Sequence, residues 1–495
     1  MSFRSIEHSP TSATPRLWLA AAALAALLGP ASAFAQGAKP GTATPPPAVA
    51  PPSAAPAPEE PRTSAAQTPD LVRAAPGGLT ADQVAVRAAK TSYSAKASEE
   101  NIRAAAARVD AAWANYLPRV TTAARYTRLS NYTVAPLAPG FPGFALILDQ
   151  YLLQASVAVP ISDYFLRINE AHTAATHAAV AAKHDVVAAR AKSAADGKVA
   201  YYGWLTAQAA LVVATATHDL QKTLVQDAKN QFAVGNASKA DVLQAESAVA
   251  AADLMVERAK NLVSLTERQV KVAMHAGDDE RFSPGEDFDR DLPQFEGNLN
   301  ELVREAHTSR YEIKSIDANA DAAVAQARAV GGGRYPSLSA FADGVYANPN
   351  SRKFPQTDEW FGTWALGAQV TWSPNDLMTS SAGMNEADAR AAQLVAQKGL
   401  TRDGIELEVT QAFQAVREAE AATATTKRQL EASAEAYRVA RELFTHGRAT
   451  ATQVREAETG FTRARLESLN AKAQSRTGRV RLEHALGRSA RDLAK

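Results

Sequence analysis

The chain has 495 residues, with 53 basic and 52 acidic side chains. That balance argues against a nucleic-acid binder, which carries a basic surplus, and gives no pull toward an anionic membrane surface. There is no cysteine, so thiolate chemistry, disulfides and a lipid anchor on a leading cysteine are excluded.

The first 35 residues read as an export signal peptide. Arg4 and Arg16 supply positive charge, and Leu17 to Leu28 is an apolar stretch too short to span a bilayer. Ala33-Phe34-Ala35 then gives the small-x-small pattern of a cleavage site. Processing would leave Gln36 first. Residues 36–77 are rich in Pro, Ala and Thr, a composition that forbids helix and is expected to form a disordered tether. After residue 35 no run of ~20 apolar residues predicts a transmembrane helix. Spanning a membrane would then require a β-barrel.

Proline punctuates the remainder. None occurs between Ile161 and Ser283, and none after Pro374. Both stretches are dense in Ala, Glu, Lys, Arg and Gln, which favours long helices. Gly235-Asn236 with Ser238 breaks the first, and Gly447 with Thr450 breaks the second; Gly suits a C-cap and Ser or Thr the next N-cap. In chain order the pattern predicts a helix over about 81–117, two short strands, a helix over 164–232, a turn and a helix over 239–275. A linker follows over 277–298. Then come a helix over 299–330, two strands, a helix over 377–445, a turn and a helix over 451–487. Asp163 and Asp376 stand in plausible N-cap positions of the two long helices.

The order repeats. Phe232, Gly235, Val242, Ala245 and Glu246 match Phe444, Gly447, Val454, Ala457 and Glu458 at one offset of 212 residues. Leu117-Pro118 and Tyr335-Pro336 each end a helix and open a strand. Two tandem units result, 78–276 and 299–495, each a helix, a β-hairpin, a long helix, a turn and a helix. A helix of the predicted length runs ~100 Å at ~1.5 Å per residue. In each unit the two shorter helices, stacked end to end, match it, so the helical part is expected to be an elongated, alanine-rich cylinder with coiled-coil-like packing.

The strands alternate. Trp364, Leu366, Ala368, Val370 and Trp372 share one face of the last, opposite Thr363, Gln369 and Thr371. Leu153, Ala155, Val157 and Val159 do the same in the second, and Val120, Thr122, Ala124 and Tyr126 in the first. Over 337–346 the pattern is mixed, with Asp343 beside Gly344, and assigns no face. Period two with terminal aromatics suits strands whose apolar side meets lipid. Soluble hairpins capping a helical bundle satisfy the same alternation. If the strands do lie in lipid, four cannot close a barrel, whereas three copies give about twelve strands and a water-filled lumen. The fold class expected is therefore mainly α with a small membrane β-barrel contribution, trimerising into a 12-stranded barrel on a long α-helical barrel.

In these features residues ~78–488 resemble the TolC-like outer-membrane efflux proteins. The resemblance is carried by Phe232–Gly235 through Asp241–Glu246, by Phe444–Gly447 through Gln453–Glu458, by the Leu117-Pro118 junction, by Arg310-Tyr311-Glu312 and by Ala485-Leu486-Gly487. It implies a trimeric channel-tunnel crossing the outer membrane and periplasm. The partners implied are outer-membrane lipid, a periplasmic adaptor and an inner-membrane transporter, of either the drug-efflux or the type I secretion kind. Conduction would be passive, with no cofactor. By position, the family's periplasmic gate falls on Asp241, Phe444, Ala449, Gln453 and Glu456. Here the latch arginine is replaced by Ala449, with Arg448 adjacent, and one acidic ring position is Gln453.

Other signals point nowhere chemical. Gly331-Gly332-Gly333 lacks the Lys-Ser/Thr of a phosphate loop, and His172, His177 and His184 lack the i, i+4 spacing of a helical zinc pair. His446 beside Gly447 suits a helix C-terminus. Tyr201, Tyr202 and Trp204 read as core or protomer contact. No nucleophile–base or metal constellation suggests an enzyme. The alternatives are a soluble periplasmic adaptor, which needs one helical hairpin and compact β domains, and a coiled-coil scaffold, which needs sustained heptads without the strand pattern.

Overall fold

A computed structural model describes residues 72–131 and 146–489. The proposed signal and most of the 36–77 segment lie outside the described residues, as does most of the loop between the first two strands.

Helix α1 (Ala81–Thr91) opens the first repeat on a reciprocal cap: Thr80 accepts from the Gln83 amide and Gln83 from the Thr80 amide. Helix α2 (Tyr93–Ala114) follows, then strands β1 (Arg119–Arg128) and β2 (Asp149–Val159). One widened helical turn at Tyr164–Ile168 leads into α3 (Asn169–Ala233), and α4 (Lys239–Met274) returns. The second repeat has the same order: α5 (Leu299–Ser309), α6 (Tyr311–Gly331), β3 (Ser337–Asn348), β4 (Phe361–Thr371), α7 (Pro374–Thr445) and α8 (Ala451–Ala485).

Four expectations need correction. The helices expected over 81–117 and 299–330 are each broken into two pieces, at Ser92 (φ −55°, ψ 130°) and Arg310 (φ −67°, ψ 128°). At the first break Thr91 donates to the Met274 carbonyl at 2.9 Å and Tyr93 packs edge-on to His275, tying the kink to the end of α4. At the second the buried Arg310 side chain binds Glu312 at 3.0 Å, Glu408 at 3.2 Å and the last carbonyls of α8. Asp163 does stand at the N-cap position of the widened turn but its side chain makes no cap bond, whereas Asp376 lies inside the first turn of α7, whose N-cap position is Ser373 and whose first residue is Pro374, where a missing N–H costs nothing. Residues 72–77 are anchored at two points, Val72 being buried and Ala75 donating to the Pro284 carbonyl at 2.7 Å.

The segment expected as a linker is part of the core. Phe288 is fully buried with Tyr201, Trp204, Leu205 and Met274. Glu286 accepts from the first amide of α1 (2.7 Å) and from the Tyr202 hydroxyl (3.1 Å). Lys472, Arg476 and Arg479, on one face of α8, bind Asp289, the carbonyls of Asp287 and Arg290, and the Pro293 carbonyl. The crossing segment thus joins both repeats around one girdle of core. Helix α3 is long and apolar enough by composition to cross a membrane, but at its middle Tyr201, Trp204 and Leu205 are buried in this packing.

The four strands form one antiparallel sheet in the order β1-β2-β3-β4. Its outer edges, on β1 and β4, have no ladder partner among the described residues.

Candidate functional site

The register resolves the sheet into two chemically distinct faces. Val120 pairs with Val157, Val157 with Ala342 and Ala342 with Leu366. Thr122, Ala155, Gly344 and Trp364 form the next row, and Ala124, Leu153, Tyr346 and Gly362 the one after. All three rows lie on one side, and Thr122 is their single polar member. This settles β3, whose pattern alone is ambiguous: Leu338, Ala340, Ala342, Gly344 and Tyr346 join the apolar face, and Asp343 lies on the other. That other face is mixed and holds the ladder's charge apart from the loop-end pair Arg128 and Asp149: Arg119, Arg125, Gln154, Ser156, Asp343, Thr363 and Gln369 stand there among Leu152, Phe341, Val345 and Phe361.

Of the four strand positions singled out by sequence, Trp364 is 81% exposed, Leu366 75%, Val370 67% and Trp372 54%. A wide apolar surface of this kind on a single chain marks an interaction site. Aromatic rings gather at its loop end, where Tyr126, Tyr151, Trp360 and Tyr346 stand 5.0–5.8 Å apart in sequence of contact. Trp372 marks the helix end, donating to the Arg334 carbonyl at 3.4 Å. Strands of 10–12 residues are about the length that crosses a bilayer at a tilt.

At the far end of the molecule the two turns are built alike. Gly235 and Gly447 adopt φ +79° and +68°, and the next residues donate back to the carbonyls of Gln231 and Leu443, each at 2.8 Å. This is the left-handed helix stop that glycine permits. Ser238 and Thr450 then cap α4 and α8 through reciprocal bonds with Asp241 and Gln453. Two of the predicted gate residues therefore serve first as local caps. Asp241 accepts from the Ser238 amide at 2.9 Å, and Gln453 from the Thr450 amide at 2.9 Å. The bonds from Ser238 hold the Asp241 carboxyl below its ordinary pKa, with a smaller pull from Arg455.

Phe444 is buried with Tyr437, Val454 and Phe461, and Ala449 packs against that cluster. Asp241 and Phe444 line one small cleft between the helix pairs, whereas Glu456 is exposed on α8 outside that cleft. The two motif glutamates have diverged. Glu246 is exposed and pairs with Lys229 at 2.9 Å, while Glu458 is buried and accepts from Thr462 at 2.8 Å. A hydrogen bond from Arg455 to Gln244 joins α8 to α4 across the repeats. Sequence reasoning missed this link, and no spacing rule announces it.

Long paired helices bearing a four-stranded sheet with one apolar face define the subunit of a membrane-embedded tunnel. The family model for outer membrane efflux proteins matches residues 84–274 and 302–488, and the chain belongs to that family. It is an outer-membrane efflux channel that extends into the periplasm. Among solved structures, the outer-membrane channel OprN superposes with a TM-score of 0.70 at 20% identity, covering 82% of this chain and 89% of that one. VceC from Vibrio cholerae gives 0.68 at 19% identity, covering 82% and 96%. CmeC from Campylobacter jejuni gives 0.68 at 16%, covering 83% and 88%. No curated protein matches by sequence. The adaptor and scaffold alternatives are not favoured. The family is one of channels rather than enzymes.

Proposed function

We propose that three copies of this chain assemble into one passive duct. The observation that carries the reading is an open sheet with one apolar face, ended by the Arg128–Asp149 ion pair at its loop end, and with two edges that have no ladder partner among the described residues. In lipid each unpaired backbone group costs several kcal/mol, so β1 of one copy must pair with β4 of the next. Three copies give about twelve strands around a lumen. Trp364, Leu366, Val370 and Trp372 then face outer-membrane lipid, with the aromatic rows at its two interfaces, and the charged face lines the passage. Nucleic acid has no place in this scheme. Light scattering of the detergent-extracted protein tests it: a mass of three chains is expected, and a monomer would end the proposal.

The helix turns form the periplasmic end, where an adaptor and an inner-membrane transporter supply cargo and energy. Asp241, Phe444, Ala449, Gln453 and Glu456 are the gate candidates. Glu456 supports this role best, being an exposed carboxylate two turns from the tip with no bond inside the subunit among the described residues. Three copies near an axis attract cations and repel one another. Glu456→Gln is expected to lower the cation-to-anion permeability ratio of single channels in planar bilayers, and an unchanged ratio would remove Glu456 from the gate.

The ends of the chain complete the proposal. Residues 1–35 act as a cleaved export signal, and the segment from Gln36 to the packed Val72 serves as an N-terminal tether.

A further inference from the structure

The loop joining β3 to β4 folds back over the charged face through residues 350–353, while Trp360 at its end stays with the apolar-face aromatics. Asn350 is 2% exposed. Its amide donates to the Phe361 carbonyl at 2.8 Å and to the Thr363 hydroxyl at 3.3 Å, while its side-chain oxygen accepts from the Arg352 amide at 2.9 Å. Phe361 and Thr363 both belong to the charged face by register. Lys353 lies 5.1 Å over the Phe361 ring and binds Thr357 and Glu359 at 3.1 and 3.4 Å, closing the loop on itself.

Arg352 then reaches down β3 to Asp343, Nη2 to Oδ2 at 2.7 Å. Asp343 lies five residues inside the end of its strand, roughly 16 Å down the sheet at ~3.3 Å per residue. Its cross-strand neighbours are Ser156 and Ala365, which are too small to fill the face and leave a berth for the guanidinium. The Asp343 side chain is accordingly only 11% exposed, although it stands on an open sheet face.

We propose that this loop narrows the outer mouth of the duct, and that Arg352, seated on Asp343, sets its width and charge preference. This rests on the three-copy barrel with the charged face inward. In that barrel three arginines stand at one level over three carboxylates. Removing Arg352 widens the mouth and uncovers the acids, which favours cations.

The absence of cysteine lets single reporter thiols test the idea in intact cells. Ser156→Cys places a thiol beside Asp343, and Ala155→Cys places one on the apolar face. Small cationic and anionic methanethiosulfonates are added outside, and labelling rates are compared. Adding Arg352→Ala to the S156C reporter is expected to raise the cationic rate about ten-fold and the cation-to-anion rate ratio with it. Asp343→Asn, which leaves Arg352 in place but unseated, is expected to lower that ratio instead, so the test does not hang on one variant. Rates on S156C that neither substitution moves overturn the proposal while leaving the barrel intact. Charged reagents labelling A155C as fast as S156C would instead show that the apolar face does not meet lipid, and both readings would fall. Because the readout is local to the mouth, resistance at the periplasmic end does not mask it.

Discussion

Asp241 shows how a residue expected at a gate is first of all a cap. Asp241→Ala removes the return half of the capping box while Ser238 still caps, at a cost below the ~1 kcal/mol of losing the N-cap itself, and is expected to speed amide hydrogen exchange in the first turn of α4. The bonds from Ser238 depress the folded pKa of Asp241. Its contribution is therefore complete above the ordinary carboxylate range and fades as pH falls through the depressed folded value. Asp241→Asn keeps an acceptor oxygen and should abolish that acid-side loss in the same exchange experiment. Glu458 has the opposite sign. Burial raises its pKa above the ordinary glutamate value. Its stabilising contribution is full below that ordinary value and is lost as pH rises through the raised folded pKa. Glu458→Gln is expected to hold or raise the melting temperature at neutral pH and to flatten this dependence. A lower neutral-pH melting temperature would mean that the charged form is the one the fold needs.

At the scale of elements, the left-handed glycines are the sharpest features. A Cβ at Gly447 meets open space, but its φ of +68° is strained for any side chain, at about 1–2 kcal/mol. Gly447→Ala should raise protease sensitivity of the α7–α8 turn by that margin and leave the sheet untouched. Both turns, both long helices and all four strands were legible from glycine, proline and alternation. The breaks at Ser92 and Arg310 were not, because no glycine or proline marks them. The one shared trace is a hydroxyl residue two places before a tyrosine, at Thr91–Tyr93 and Ser309–Tyr311. The face of β3 was hidden for another reason. Asp343 and Gly344 spoil its alternation, and only pairing with Ser156 and Trp364 assigns them. Among the gate candidates, sequence placed the turns correctly but not the burial of Phe444, nor the difference between Glu246 and Glu458. Those depend on which helices pack against each turn, and the repeat offset carries no such information.

For the whole molecule, the apolar face sets the strongest expectation. A lysine in mid-bilayer on a barrel's outer face costs about 2–4 kcal/mol, three times over if three copies pool their strands. Leu366→Lys should therefore sharply reduce the heat-modifiable oligomer seen by gel migration, whereas Gln369→Lys on the opposite face should not. Equal losses from both substitutions would show that the two faces are not in different surroundings.

The bare margins of β1 and β4 carry one more consequence. In the three-copy barrel proposed above, a subunit that folds its helices yet cannot offer a sound β4 would still present β1, and so would join its neighbours and leave a seam. In a cell making sound and faulty copies equally, random mixing in threes yields only about one assembly in eight without a faulty member. Inheritance of such a defect would look dominant, and the severity of the trait would count the number of chains in the ring.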